Sequence, residues 1–183
     1  MSGPLFIAEV KTRSPFGFES KRSSGYLTEL ACQHGDIVAA HTDPRWGGSF
    51  DHLAGVAVLT HMWGKLVLAK GVHAEDDDIK RALQCGADLV LVVGRRPPPE
   101  LWGACLIEPQ GGMWEWPLPG DRIVVNRRNL ATGKPDNLDF ESVRYGNPNT
   151  WLCQASFIRT RADVHRHADA FIVGEHLPEF VAS

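Results

Sequence analysis

Eight strand-like segments recur along this chain, most of them followed by a segment of helical period. Leu5 to Val10 reads as the first strand, and Ser24 to His34 as a helix capped by Ser23 or Ser24. Asp36 to His41 is the second strand. A helix from Ser49 to about Leu59 follows, with Ser49 as cap and Asp51 in its first turn. Lys65 to Lys70 is the third strand. Ala74 to Cys85 is a helix with Glu75, Asp76 and Asp77 in its first turn and Gly86 just past its end. Ala87 to Val93 is the fourth strand, apolar almost throughout as parallel buried strands are. Ala104 to Glu108 and Arg122 to Asn126 are the fifth and sixth. A helix from Leu138 to Tyr145 leads to a seventh strand, Thr150 to Gln154. A helix from Thr160 to His167 leads to the eighth, Ala168 to Gly174, and a short helix ends the pattern.

Alternation of this kind predicts a parallel α/β fold, and eight strands are the number that closes a (β/α)8 TIM barrel. An open doubly wound sheet would favour a glycine-rich fingerprint after the first strand, which Val10-Lys11-Thr12-Arg13-Ser14 is not. The 183 residues are few for a barrel, which usually takes about 250. Two connections account for part of the shortfall. Gly94 to Gly103 holds three consecutive prolines, which no helix interior accepts. Pro109 to Asp121 is rich in proline and glycine. Helices four and five are therefore expected to be reduced to loops within one compact domain over residues 1–183.

The remaining composition serves mainly to exclude. Hydrophobic residues make up 43% and charged residues 22%, as in ordinary globular chains. The net charge of −3 comes with scattered Lys and Arg, so no basic face for nucleic acid is expected. No apolar run is long enough for a membrane span, and no secretory signal opens the chain. Cys32, Cys85, Cys105 and Cys153 are expected as free thiols in a cytoplasmic protein. His165 and His167 stand two apart in a predicted helix, which points them to different sides. No metal and no cofactor are expected.

Barrel chemistry gathers at the C-terminal ends of the strands, and polar residues stand at most of those ends here. The first strand closes with Glu9 and Lys11, two apart and so on one face. The third ends in Lys70, the fifth in Glu108, and the sixth in Asn126 with Arg128 close behind. The seventh leads to Ser156, and the eighth to Gly174 and Glu175. Carboxylates, lysines, an amide and an arginine on one rim point to acid–base chemistry on an anionic substrate.

These segments resemble indole-3-glycerol-phosphate synthase, the barrel enzyme of tryptophan synthesis. Ile7-Ala8-Glu9-Val10-Lys11-Thr12-Arg13-Ser14-Pro15 resembles its first-strand motif, and Thr42-Asp43-Pro44-Arg45-Trp46-Gly47-Gly48-Ser49 its second-strand loop. Leu66 to Lys70, Gly86 to Leu91, Val125 to Leu130 and Ala168 to Glu175 resemble later motifs in the same order. The resemblance implies a cofactor-free lyase that closes the indole ring of a phosphorylated anthranilate-ribulose with loss of CO2 and water. By resemblance, Lys70 is the general acid and Glu108 the acid–base carboxylate. Lys11 and Glu9 form a pair at the substrate carboxylate, and Asn126 and Ser156 support them. Ser14 lies on the phosphate side, Arg128 lies near the substrate, and Trp46 and Leu130 lie where the family stacks the aromatic ring. Gly174 and Glu175 stand at the substrate-binding end of the eighth strand.

Several positions depart from that family. Phe157 replaces a glycine whose N–H is expected at the phosphate, His176 stands where serine is usual, and Lys70-Gly71-Val72 loses an aromatic wall. These departures leave a second reading, a substrate-altered or non-catalytic phosphate-binding barrel derived from the family. Trp102, Trp114 and Trp116 fall in the shortened connections, where they either fold back as a local lid or form a homodimer interface. The expected partner is a small phosphorylated molecule, with no nucleic acid and no membrane.

Overall fold

The computed structural model describes residues 3–110, 119–135 and 138–183. Eight parallel strands close into a barrel in sequence order: β1 (Leu5–Val10), β2 (Ile37–His41), β3 (Leu66–Lys70), β4 (Leu89–Val93), β5 (Cys105–Glu108), β6 (Arg122–Asn126), β7 (Trp151–Ala155) and β8 (Ala170–Val173). β8 pairs with β1 through Phe6 opposite Phe171 and Ala8 opposite Val173. The barrel expected from the alternation is the observed fold, and the open doubly wound sheet is not.

Period two sorts the side chains. Ile7, Ile37, Ala39, Leu68, Leu91, Leu106, Val124, Cys153, Ala170 and Ile172 form the buried interior. The same faces continue upward into Glu9, His41, Lys70, Glu108 and Asn126, so the polar rim is the interior row carried one step further. The opposite faces (Phe6, Ala8, Val38, Ala40, Val67, Val90 and Val92) form the outer core with the helices.

At the other end, an aspartate just before a strand fastens the preceding strand. Asp36 accepts from the Phe6 N–H, Asp88 from Val67 N–H and Asp169 from Leu152 N–H, each at 2.8 Å. Each aspartate's own N–H returns a bond to that residue's carbonyl. This exchange fixes the register of β1 with β2, β3 with β4 and β7 with β8, and orphan donors at the strand starts are satisfied.

Helices α1 (Ser24–His34), α2 (Phe50–Met62) and α3 (Asp76–Gln84) begin where their caps predict. Ser23 and Ser49 side chains accept from the N–H groups of Tyr26 and His52, and Glu75 forms a capping box with Asp78. The Pro-rich connection keeps only α4 (Pro99–Trp102), with Pro99 in its first turn. α5 spans Phe140–Gly146 and α6 Leu177–Val181.

The helix expected from Thr160 to His167 is reduced to one 3-10 turn, Arg161–Asp163, and Val164 is extended. Buried Gln154 is the reason. Its Nε2 donates to the Asp163 carbonyl and its Oε1 accepts from His165 N–H, so backbone groups that a helix would pair internally are taken by a side chain. Without the helix, His165 and His167 do not point apart. Both approach Glu141, with His165 Nε2 at 2.5 Å and His167 Nδ1 at 3.9 Å. Arg166 lies 3.9 Å from the same carboxylate, which these partners already share. Trp102 folds back locally, its Nε1–H donating to Asp121 at 2.8 Å. Trp114 and Trp116 lie outside the described residues.

Candidate active site

A cavity of about 250 Å³ opens at the C-terminal end of the strands. It is lined by Glu9, Lys11, Trp46, Lys70, Glu108, Asn126, Arg128, Leu130, Ser156, Gly174 and Glu175, so the predicted rim residues converge from around the barrel. Ser14 does not line it. Its hydroxyl accepts from Phe16 N–H at 3.3 Å, and its backbone closes the same loop.

One arc of the cavity is charged. Glu9, buried at the end of β1, accepts from Lys70 Nζ at 3.0 Å through Oε2. His41 Nε2 lies 2.9 Å from Oε1, close enough for electrostatic attraction but off the line of a hydrogen bond. Burial alone would raise the Glu9 pKa. Lys70, Lys11 and His41 outweigh it and hold the carboxyl well below the usual range. His41 itself is pushed down to about 4 by burial, against the pull of Glu9, so it is neutral at pH 7. It stacks on Trp46 with ring centres 5.1 Å apart. Trp46 also has Lys11 Nζ 4.7 Å from its ring centre, so the ring that the resemblance assigns to substrate stacking is already engaged.

Lys11 Nζ donates to Glu175 Oε1 at 2.8 Å, and Arg128 donates to Glu175 Oε2 at 3.0 Å. Burial lowers the Lys11 pKa, with Lys70 adding to it, while Glu9 and Glu175 oppose. Glu9 also explains Gly174. A Cβ there would lie 2.5 Å from Glu9 Oε2, so only glycine lets β8 end against that carboxylate.

The other arc is neutral. Ser156 Oγ–H donates to Asn126 Oδ1 at 2.6 Å, and Asn126 Nδ2 donates to Glu108 Oε1 at 3.0 Å. Gln110 donates to the same oxygen at 3.1 Å. Oε2 of Glu108 has no hydrogen-bond partner among the described residues. Burial pushes the Glu108 pKa up against these donors and Lys70. Ser156 and Phe157 both hold positive φ, 69° and 58°, a conformation that costs about 1–2 kcal/mol per non-glycine residue. Strain of this kind clusters at ligand sites.

Sequence reasoning misses His41. It is legible, because β2 alternates Ile37, Ala39, His41 toward the interior as β1 alternates Ile7 and Glu9. Arg159 is missed as well. It lines the cavity from the loop after β7, and its position depends on the turn that replaces the expected helix.

No protein-family model and no curated protein matches the sequence significantly. Solved structures do match in fold. 3-Hexulose-6-phosphate synthase is 16% identical over 96% of this chain and 99% of its own, with a TM-score of 0.64. KGPDC from Streptococcus mutans is 12% identical over 94% of this chain and 88% of its own, with a TM-score of 0.65. The same protein in complex with a phosphorylated small molecule gives 0.62, again at 12% identity, over 93% and 88%. The expectation of an indole-3-glycerol-phosphate synthase is therefore corrected. The structures this chain resembles in fold are a hexulose-phosphate synthase and KGPDC, with no indole-forming enzyme among them, and no family model supports the motif resemblance. The physical reason lies in what the motifs encode. A polar rim at strand ends belongs to barrels of many chemistries.

Proposed function

We propose that this barrel is an enzyme that moves a proton at the carbon beside the carbonyl of a small phosphorylated sugar, making or breaking a bond at that carbon. One observation carries the reading: a single cavity holds one carboxylate kept ionised by cations, Glu9, and one pushed toward its protonated form by burial, Glu108. Environments that drive two carboxylates apart are how active sites assign acid–base roles at neutral pH. The phosphorylated ligand of one protein of the same fold supports the substrate class.

Glu108 is the proton-transfer residue. Its raised pKa makes its carboxylate a stronger base, and its Oε2 is not engaged by the described residues. It takes the proton from carbon, and the C–H electron pair moves to the carbonyl oxygen. Lys70 Nζ stabilises that oxygen as it becomes negative. Glu9, occupied by Lys70 and His41, positions the lysine. Asn126 and Ser156 orient Glu108. The phosphate sits at the β7–β8 end, where the Ser156–Phe157 turn and Arg159 border the cavity. Barrels commonly hold phosphate beyond these two strands.

Ribulose 5-phosphate incubated with the protein in D2O tests this by proton NMR. Exchange of the hydrogens beside the carbonyl is expected, and it is lost in Glu108→Gln. A folded protein that binds the sugar phosphate without any exchange would overturn the reading.

A further inference from the structure

The lysines and arginines around the cavity are unequally available. Lys70 is held by Glu9 at 3.0 Å. Lys11 and Arg128 are both held by Glu175, at 2.8 and 3.0 Å, one on each carboxylate oxygen. Arg159 lies at the exposed mouth of the cavity, and its side chain has no partner among the described residues. One dianionic group finds Arg159 and the strained turn after β7. Among the described residues of the cavity, a second anionic group finds no lysine or arginine that lacks a carboxylate.

We infer that Glu175 is the specificity-determining residue of this cavity: it occupies from within the chain the place of a second anionic group, so the ligand is a sugar phosphate without a carboxylate. The inference deepens the proposed function and rests on it. An incoming carboxylate would have to displace Glu175 from two charge-assisted hydrogen bonds or remain unpaired beside it. Either route leaves a partly buried charge without its partner, which is strongly unfavourable. Like charge placed against a competing ligand is a standard route to selectivity.

The backbone does not offer an escape. Gly174 is packed against Glu9 so closely that a Cβ would not fit, and α6 starts two residues after Glu175. Glu175 therefore cannot retreat with its loop. Its carboxyl is also held below the ordinary value: burial would raise it, but Lys11 and Arg128 outweigh burial, so it stays ionised at neutral pH. The reaction class follows. Loss of CO2 would require a substrate carboxylate to be bound, whereas proton transfer or aldol-type cleavage beside a neutral carbonyl would not.

Calorimetric titration with ribose 5-phosphate and with its C1-oxidised counterpart, 5-phosphoribonate, tests the inference. Wild type is expected to bind ribose 5-phosphate roughly tenfold more tightly or better. Glu175→Gln is expected to tighten 5-phosphoribonate by about tenfold while changing ribose 5-phosphate by less than about threefold. Equal wild-type affinities, or a substitution that shifts both ligands alike, would overturn it. If neither sugar phosphate nor inorganic phosphate binds folded wild type, the proposed function fails and the inference falls with it. Melting by circular dichroism confirms the fold of the variant. If Glu175→Gln does not fold, the wild-type ratio and Glu175→Ser decide.

Discussion

The two arcs of the rim treat a carboxylate in opposite ways. On the β8–β1–β3 side, Glu9 is surrounded by Lys70, Lys11 and His41, and charge prevails over burial. On the β5–β6–β7 side, Glu108 meets amides and a hydroxyl relay, and burial prevails over hydrogen bonding. Both residues end a strand, point inward and are 3% exposed. Depth alone therefore does not set a buried carboxylate's state. The formal charge of its neighbours does, because neutral donors offset desolvation only in part.

The largest expected effect comes from removing the cation that joins the arcs. Lys70→Met should lower proton exchange by about 10³-fold, with the ligand still binding. It also leaves Glu9 short of a partner, so its melting temperature should fall. Adding Glu9→Gln should restore the melting temperature but not the exchange. If the double variant regains exchange, Lys70 acts only through folding.

Glu108→Gln should cost about 10²–10³-fold in exchange, within the usual range for a positioned acid–base group, and leave stability nearly unchanged. Retained exchange would assign proton transfer to the charged arc instead.

The third effect is on stability. His41 has a folded pKa near 4 against an unfolded value of 6.5. Between those values the unfolded chain binds the proton and the folded chain does not, so stability rises with pH. About 3 kcal/mol is present above pH 6.5 and is lost as pH falls toward 4. His52 and His73, also depressed by burial, act in the same direction. A melting temperature lower by roughly 5–10 °C at about pH 4.5 than at about pH 7 is expected, and His41→Phe should reduce that difference. An unchanged slope in His41→Phe would remove His41 from the charged arc.

The smallest effect lies at the phosphate end. Phe157→Gly relieves a positive φ but gives up the ring beneath Arg128, 4.9 Å away. The net stability change should stay within about 1 kcal/mol. Inorganic phosphate, followed by calorimetry, should bind a few-fold more tightly once the Cβ and ring are gone. Weaker binding would mean that the ring supports the site.

The charged and neutral arcs are unequally legible in the sequence. Period two places Glu9, Lys70, Glu108 and Asn126 on the interior faces, because that alternation is a local property. His41 obeys the same rule, though no motif draws attention to it. Glu175 is visible as a strand-end residue, but its bridge is not, since it needs Lys11 from 164 residues away and Arg128 from 47. The lost helix after β7 depends on buried Gln154 competing for backbone groups, which no helical period reveals. Ordered motifs point to one enzyme family, yet they record only a polar rim shared across the barrel fold.

Carbon-13 NMR of side-chain carboxyl carbons, assigned with Glu9→Gln and Glu108→Gln, reads the protonation of both equally buried glutamates across one pH titration. Glu108 is expected to titrate above the ordinary glutamate value of 4.5 while Glu9 stays ionised well below it. Glutamates that titrate together, or Glu108 titrating below Glu9, would contradict the opposite preferences of the two arcs.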